Sequence, residues 1–139
     1  MSVGFVVDAS VGFAWVHQDQ ATAETDHLLN EIAAGAAVSV PALWFLEMAN
    51  ILLAAQRRQR LTTPQRKAAL EKLSALHFLV DEEGSRHAFG KTSGLAEKYG
   101  LTIYDATYLE LALRRSLPLA SRDEALNKAA KQCGLKIFI

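Results

Sequence analysis

The sequence predicts an α/β fold: a three-layer α/β/α sandwich around a central, mostly parallel sheet of about five short strands. Three observations carry this. Short apolar runs alternate with stretches of helical spacing along the whole chain. The runs are apolar at successive positions, as in strands buried on both faces. No two of them are joined by a two-residue hairpin signal, which favours parallel over antiparallel pairing. The 139 residues, half of them apolar, suit a single domain over 1–139 with a substantial core.

The elements follow in order. Val3-Gly4-Phe5-Val6-Val7 reads as a buried strand ending at Asp8. Ala9 to Val16 starts a helix at once, with Ser10 or Asp8 as its cap. Ala21 to Ala34 places Leu28, Leu29, Ile32 and Ala33 at helical spacing, with Gly35 as a C-cap. Ala37 to Val40 is a second strand, stopped by Pro41, and Leu43 to Gln56 is a strongly apolar helix. Thr62-Thr63-Pro64-Gln65 opens another helix, running to about Leu76, with a cap, an early Pro and Gln in the capping-box place. Phe78 to Val80 is a third strand. Ser85 to Tyr99 is a helix weakened by Gly90 and Gly94 and ended by Gly100. Tyr104 to Arg115 is a helix, Leu117 to Ala120 a strand, Asp123 to Cys133 a helix, and Lys136 to Ile139 a last short strand.

Composition narrows the function. The single cysteine, Cys133, excludes a disulfide framework and a cysteine-based zinc site. The formal net charge is zero, but it is unevenly placed. Six acids and no Lys or Arg precede Arg57, while the remainder holds nine acids and all fifteen bases. An N-terminal region without cations lacks the mark of a secretory signal or a mitochondrial presequence. The apolar stretch from Ile32 to Leu46 is broken by Ser39 and Pro41, too short to span a bilayer. A cytoplasmic protein with no membrane partner is expected.

In parallel sheets ligands bind beyond the carboxyl ends of the strands. Asp8 follows the first strand, Ser121-Arg122-Asp123 follows the strand at 117–120, Asp105 opens a helix, and Glu47 lies on the helix after the second strand. The three aspartates could each be a helix cap. Glu47 is harder to explain that way, because its neighbours are nearly all apolar and an unpaired buried charge costs several kcal/mol. Trp44, Glu47 and Asn50 share one helix face. Carboxylates gathered at one edge would hold their protons unless a cation sat among them. A hard divalent ion, Mg2+ or Mn2+, suits all-oxygen ligands. The four histidines, His17, His27, His77 and His87, form no cluster, so zinc is not expected.

Val6-Val7-Asp8-Ala9-Ser10 resembles the opening motif of the PIN-domain nucleases. Val40-Pro41-Ala42-Leu43, with Glu47 and Asn50, looks like their second motif. Tyr104-Asp105-Ala106-Thr107-Tyr108-Leu109-Glu110-Leu111-Ala112 is similar to their third, and Ser121-Arg122-Asp123-Glu124-Ala125-Leu126 resembles their fourth, with Ser121 where Thr is common. The likeness covers the whole chain, and its length and layout resemble the VapC-type toxins of toxin–antitoxin pairs.

The resemblance implies an Mg2+- or Mn2+-dependent endoribonuclease. Its acidic pocket would be Asp8, Glu47, Asp105 and Asp123, with Asp8 and Asp105 as direct ligands. Ser10 and Ser121 would orient carboxylates or touch phosphate, Asn50 would hold Glu47, and Arg122 would contact phosphate. The implied partners are the RNA substrate, a cognate VapB-type antitoxin and a second copy of the chain, in a homodimer or a larger complex with antitoxin. Phe13, Trp15, Trp44, Phe45 and Met48 are candidates for an antitoxin groove, with plain core packing as the alternative and as the preferred reading for Phe13 and Phe45.

The cations Arg57, Arg58, Arg60, Arg66, Lys67 and Lys72 would either meet RNA or simply solvate a helical face. Arg114 and Arg115 fit the negative end of their helix. A phosphoacceptor domain is excluded by the lack of paired acids after the first strand, and an Asp-x-Asp phosphatase by Ser10. A non-catalytic PIN-like module binding RNA or protein is the remaining alternative.

Overall fold

A computed structural model describes residues 4–139; Val3 of the first expected strand lies outside the described residues. The chain runs β1 (Phe5–Val7), α1 (Ala9–Val16), α2 (Ala23–Ala33), β2 (Val38–Pro41), α3 (Leu43–Arg57), α4 (Thr63–Ser74), β3 (Phe78–Asp81), α5 (Gly84–His87), α6 (Ser93–Tyr99), α7 (Ile103–Arg115), β4 (Leu119–Ala120) and α8 (Glu124–Gln132). A turn of 3-10 helix, Gln18–Gln20, precedes α2.

The strands form one sheet in the order β3-β2-β1-β4. Every pairing is parallel. The chain steps outward from β1 to β3 and then returns across the sheet to β4. Right-handed crossovers in opposite senses put their helices on opposite faces, which makes the three layers. α7 packs on β1, β2 and β4, with α6 and α8 against it, while α1 packs on α2, α3 and α4. Phe5, Val6, Val7, Val38 and Val40 are wholly buried, as expected for strands covered on both faces. Gly12 permits α1 to lie close on α3: a Cβ there would stand 2.7 Å from the Trp44 ring and 2.8 Å from Met48 Sδ.

The sheet has four strands rather than about five. Lys136 to Ile139 contributes a single parallel bridge, Leu119 to Ile137, because β4 offers only two residues to pair with. β4 starts two residues later than expected and ends at Ala120 as expected. Pro118 has no N–H to donate, and Ser121 leaves the ladder to make side-chain bonds.

The helix expected over Ser85–Tyr99 is interrupted. Residues Ala88–Thr92 widen into a π turn between α5 and α6. Gly90 and Gly94 weaken the helix there, and Ser93 Oγ donates to Ala88 O at 2.6 Å, competing with the regular ladder.

The cap of α1 is Asp8, not Ser10: Asp8 Oδ1 accepts from the backbone N–H groups of Ser10 and Val11. α2 starts at Ala23 because Thr22 and Thr25 form a reciprocal capping box. Gly35, at φ +99°, follows its end. The Thr62–Gln65 capping box of α4 forms as expected.

Candidate active site

Asp8 sits at the carboxyl end of β1, where the sheet order reverses between β2 and β4. Its neighbours β1 and β4 are in register at Val7 and Ala120, and Asp8 N donates to Ala120 O at 3.1 Å. That pairing delivers Ser121, from the far end of the chain, to the Asp8 side chain. Ser121 Oγ donates to Asp8 Oδ2 at 2.5 Å. Ser10 Oγ donates to Asp8 Oδ1 at 2.6 Å, and the Ser10 and Val11 amides reach the same oxygen at 3.1 and 3.4 Å. One oxygen of Asp8 is thus saturated, while Oδ2 carries a single donor.

The two serines also join the strand ends to each other. Asp123 N donates to Ser121 Oγ at 2.9 Å, and Arg122 N donates to Ser10 Oγ at 2.9 Å. Asp123 caps α8, accepting from Leu126 N at 2.8 Å through Oδ1. Asp105 stands in the first turn of α7 but is not its cap. Thr102 takes that place, accepting from Asp105 N at 3.0 Å. The Asp105 carboxylate is therefore free of the capping role. Glu47, one turn into α3, accepts from the hydroxyl of Tyr108 on α7 at 2.5 Å.

Burial and like charge raise three of the four acids. Burial pushes the Asp8 carboxyl up to about 6, opposed by its Ser10 and Ser121 bonds and aided by the charge of Asp105. Glu47 is raised by burial and also by Asp105, against the Tyr108 bond. Asp105 is raised by burial and by the charge of Asp123. The charge of Asp105 thus contributes to the raised carboxyls of Asp8 and Glu47, and Asp123 contributes to that of Asp105. Among the described residues none of the four makes an ion pair. Like charges left uncompensated in this way attract a cation.

The donor set is carboxylate and hydroxyl oxygen, which fits a hard ion such as Mg2+ or Mn2+ and not zinc. Among the described residues no three Asp, Glu, His or Cys side chains converge into a ready-made metal cage. Mg2+ does not require one, since it keeps several waters and takes one or two carboxylates. A cleft of about 720 Å³ lies elsewhere, between α1, α2 and α4. Asp8 is buried, while Glu47, Asp105 and Asp123 are half-buried.

Other expectations are corrected. Asn50 is exposed and does not hold Glu47; the buried Tyr108 does. Arg122 directs its guanidinium to Gln20, donating to the backbone and side-chain oxygens at 2.9 and 3.3 Å. Trp15, Trp44 and Met48 are core residues, whereas Phe45, expected in the core, is 43% exposed, and Phe13, also expected there, is only half-buried. The Arg57–Lys72 run is mostly solvated. Arg66 bonds to Gln56, and Lys72 donates to Trp15 O at 2.9 Å. Arg114 and Arg115 do not merely face a helix end. Arg114 forks onto buried Asp81, at 2.7 and 2.9 Å, and onto buried Glu110, and Arg115 reaches Asp81 at 3.2 Å.

The PIN domain family pattern matches residues 5–132. The chain belongs to the PIN domain family. Solved structures share the fold. PAE2754 from Pyrobaculum aerophilum is 26% identical at a TM-score of 0.68, the match covering 93% of this chain and 87% of that one. VapBC2 from Rickettsia felis, solved with a DNA fragment from its promoter, is 14% identical at 0.67, covering 96% of each chain. VapBC-5 from Mycobacterium tuberculosis, a member of a toxin–antitoxin family, is 23% identical at 0.57, covering 97% of each. No functionally curated protein is similar enough to count as a match. No helix of the described residues is long and apolar enough to cross a membrane.

Proposed function

We propose that the chain is a metal-dependent endoribonuclease acting as the toxin of a VapBC-type toxin–antitoxin pair. One observation carries the reading. Ser121, following β4, bonds both the buried Asp8 carboxylate at the end of β1 and the backbone amide of Asp123, and among the described residues neither acid has a cationic partner. Bound there, Mg2+ or Mn2+ supplies charge neutralisation and an activated water for in-line attack on a phosphodiester. Asp8, through Oδ2, and Asp105 would hold the ion, with Glu47 and Asp123 on the ion or its waters. Ser10 and Ser121 fix the Asp8 rotamer, so this ligand is oriented before any ion arrives. No nucleophilic side chain is needed.

The toxin assignment rests on the family, the single-domain layout and the likeness to chains from VapBC complexes. It carries the expected partners with it: a VapB-type antitoxin, a second copy of the chain and an RNA substrate in the cytoplasm. The experiment is incubation of the purified chain with total RNA, with Mg2+ or Mn2+ and with chelator. Cleavage that depends on the added metal supports the reading, and sequencing of the new ends identifies the target. RNA left intact under every metal condition refutes it. A small open reading frame directly upstream, whose product suppresses growth arrest by the chain, tests the toxin assignment.

A further inference from the structure

Tyr108 stands inside the third motif, on a largely apolar helix. Its ring is core: the residue is 1% exposed. Its hydroxyl is not buried idly. It lies three residues after Asp105, on the same face of α7, and donates at 2.5 Å to Oε1 of Glu47, 61 residues away on α3. Among the described hydrogen bonds this is the only one that Glu47 accepts from a side chain. A tyrosine locked by packing has little rotamer freedom to lose, so the bond fixes the longer and more flexible glutamate at little entropic expense.

We infer that Tyr108 is a positioning residue that holds Glu47 by one carboxylate oxygen and leaves the other free for a divalent cation or its waters. The arrangement parallels that of Asp8, whose Oδ1 is saturated by Ser10 and Val11 while Oδ2 keeps one donor. Hydroxyl donors thus restrict both carboxylates. Tyr108 cannot readily ionise in this role. Burial and the Glu47 bond push its phenol far up, and Asp8 and Asp105 add to the effect. The inference rests on the metal-dependent reading above.

The test uses Tyr108→Phe, which removes one oxygen and keeps the ring. Mn2+ alone is titrated into metal-free protein and followed by calorimetry and by the EPR signal of free Mn2+. Loss of a bond that orients a metal ligand weakens metal binding about tenfold or more. The melting temperature of the metal-free chain should stay within a few degrees of wild type, and KM for a labelled RNA should hold while kcat falls at limiting Mn2+.

In a Glu47→Gln background the hydroxyl has no carboxylate to hold, and Tyr108→Phe should then change Mn2+ affinity less than about twofold. Equal Mn2+ affinity in wild type and Tyr108→Phe overturns the inference. So does a loss that persists undiminished beside Glu47→Gln, which would mean the ring acts through the fold. A wild-type chain that binds Mn2+ but cleaves no RNA removes the nuclease reading and leaves Tyr108 judged on affinity. A wild-type chain that takes up no Mn2+ overturns both.

Discussion

Ser121 donates its hydroxyl to Asp8 at 2.5 Å although 113 residues separate them. The bond exists because β1 and β4 pair in parallel at Val7 and Ala120, so their next residues emerge side by side. The same hydroxyl oxygen accepts from Asp123 N at 2.9 Å. One small polar side chain therefore ties two acids of the candidate site together.

Ser121→Ala should loosen this tie. It removes a buried donor to a carboxylate and an acceptor for the Asp123 amide, and bonds to charged groups contribute about 1.5–3 kcal/mol. Chemical denaturation should show a loss of that order, with weaker Mn2+ binding. Ser121→Thr keeps the hydroxyl and should retain most of both. Equal stability of Ser121→Ala and wild type would count against the bond.

Asp8 predicts an acid-side stability profile. Its carboxyl is pushed up to about 6 from 3.8, chiefly by burial. Between those values the folded chain binds more protons than the unfolded one, so stability falls as pH rises. For this group the favourable contribution is complete below about pH 4 and gone above about 6, a loss on the order of 3 kcal/mol. Glu47 and Asp105 are raised in the same sense. Asp81, lowered by its Arg114 bond, acts oppositely, and only as the pH falls below the ordinary aspartate range. Urea unfolding in chelator should therefore find Asp8→Asn gaining on wild type by roughly 2–3 kcal/mol more at about pH 7.5 than at about pH 4.5. An identical difference at both pH values would contradict the assignment of Asp8 as a buried, uncompensated acid.

Arg114 makes a different kind of prediction. Asp81 and Glu110 have side chains only 1% exposed, and Arg114 bonds to both. Arg114→Ala leaves two buried carboxylates short of their partner, which costs about 3–5 kcal/mol. Arg115→Ala should matter much less, because Asp81 keeps its two Arg114 bonds. Thermal melts of the two variants should differ by several degrees. Comparable melting temperatures would deny the network its bracing role.

The parts of this structure that are legible in the sequence are those written locally. β1 and β2 are apolar runs ended by Asp8 and Pro41, and the Thr62–Gln65 box appears as a spacing of residue types. The four acids stand out because each follows a strand, opens a helix or breaks an apolar one. What escapes is tertiary. Tyr108 differs from any core tyrosine only by where Glu47 lies. Arg114 resembles a helix-end cation until Asp81, 33 residues earlier in the chain, is placed beside it. Asn50 shares a face with Glu47, but that face turns outward at Asn50. The missing fifth strand reflects the two-residue length of β4, set by Pro118 and by Ser121 turning to Asp8.

The central proposal is that Asp105, whose charge acts on the carboxyls of Asp8 and Glu47, serves a metal-dependent phosphodiester hydrolysis. The most direct measurement is the single-turnover rate of cleavage of a labelled RNA by wild type and by Asp105→Asn at saturating Mn2+. Asn preserves size and removes the charge. The account predicts a rate lower by a factor of about 100 or more, equivalent to roughly 3 kcal/mol of transition-state stabilisation. Equal rates in the two proteins would contradict it.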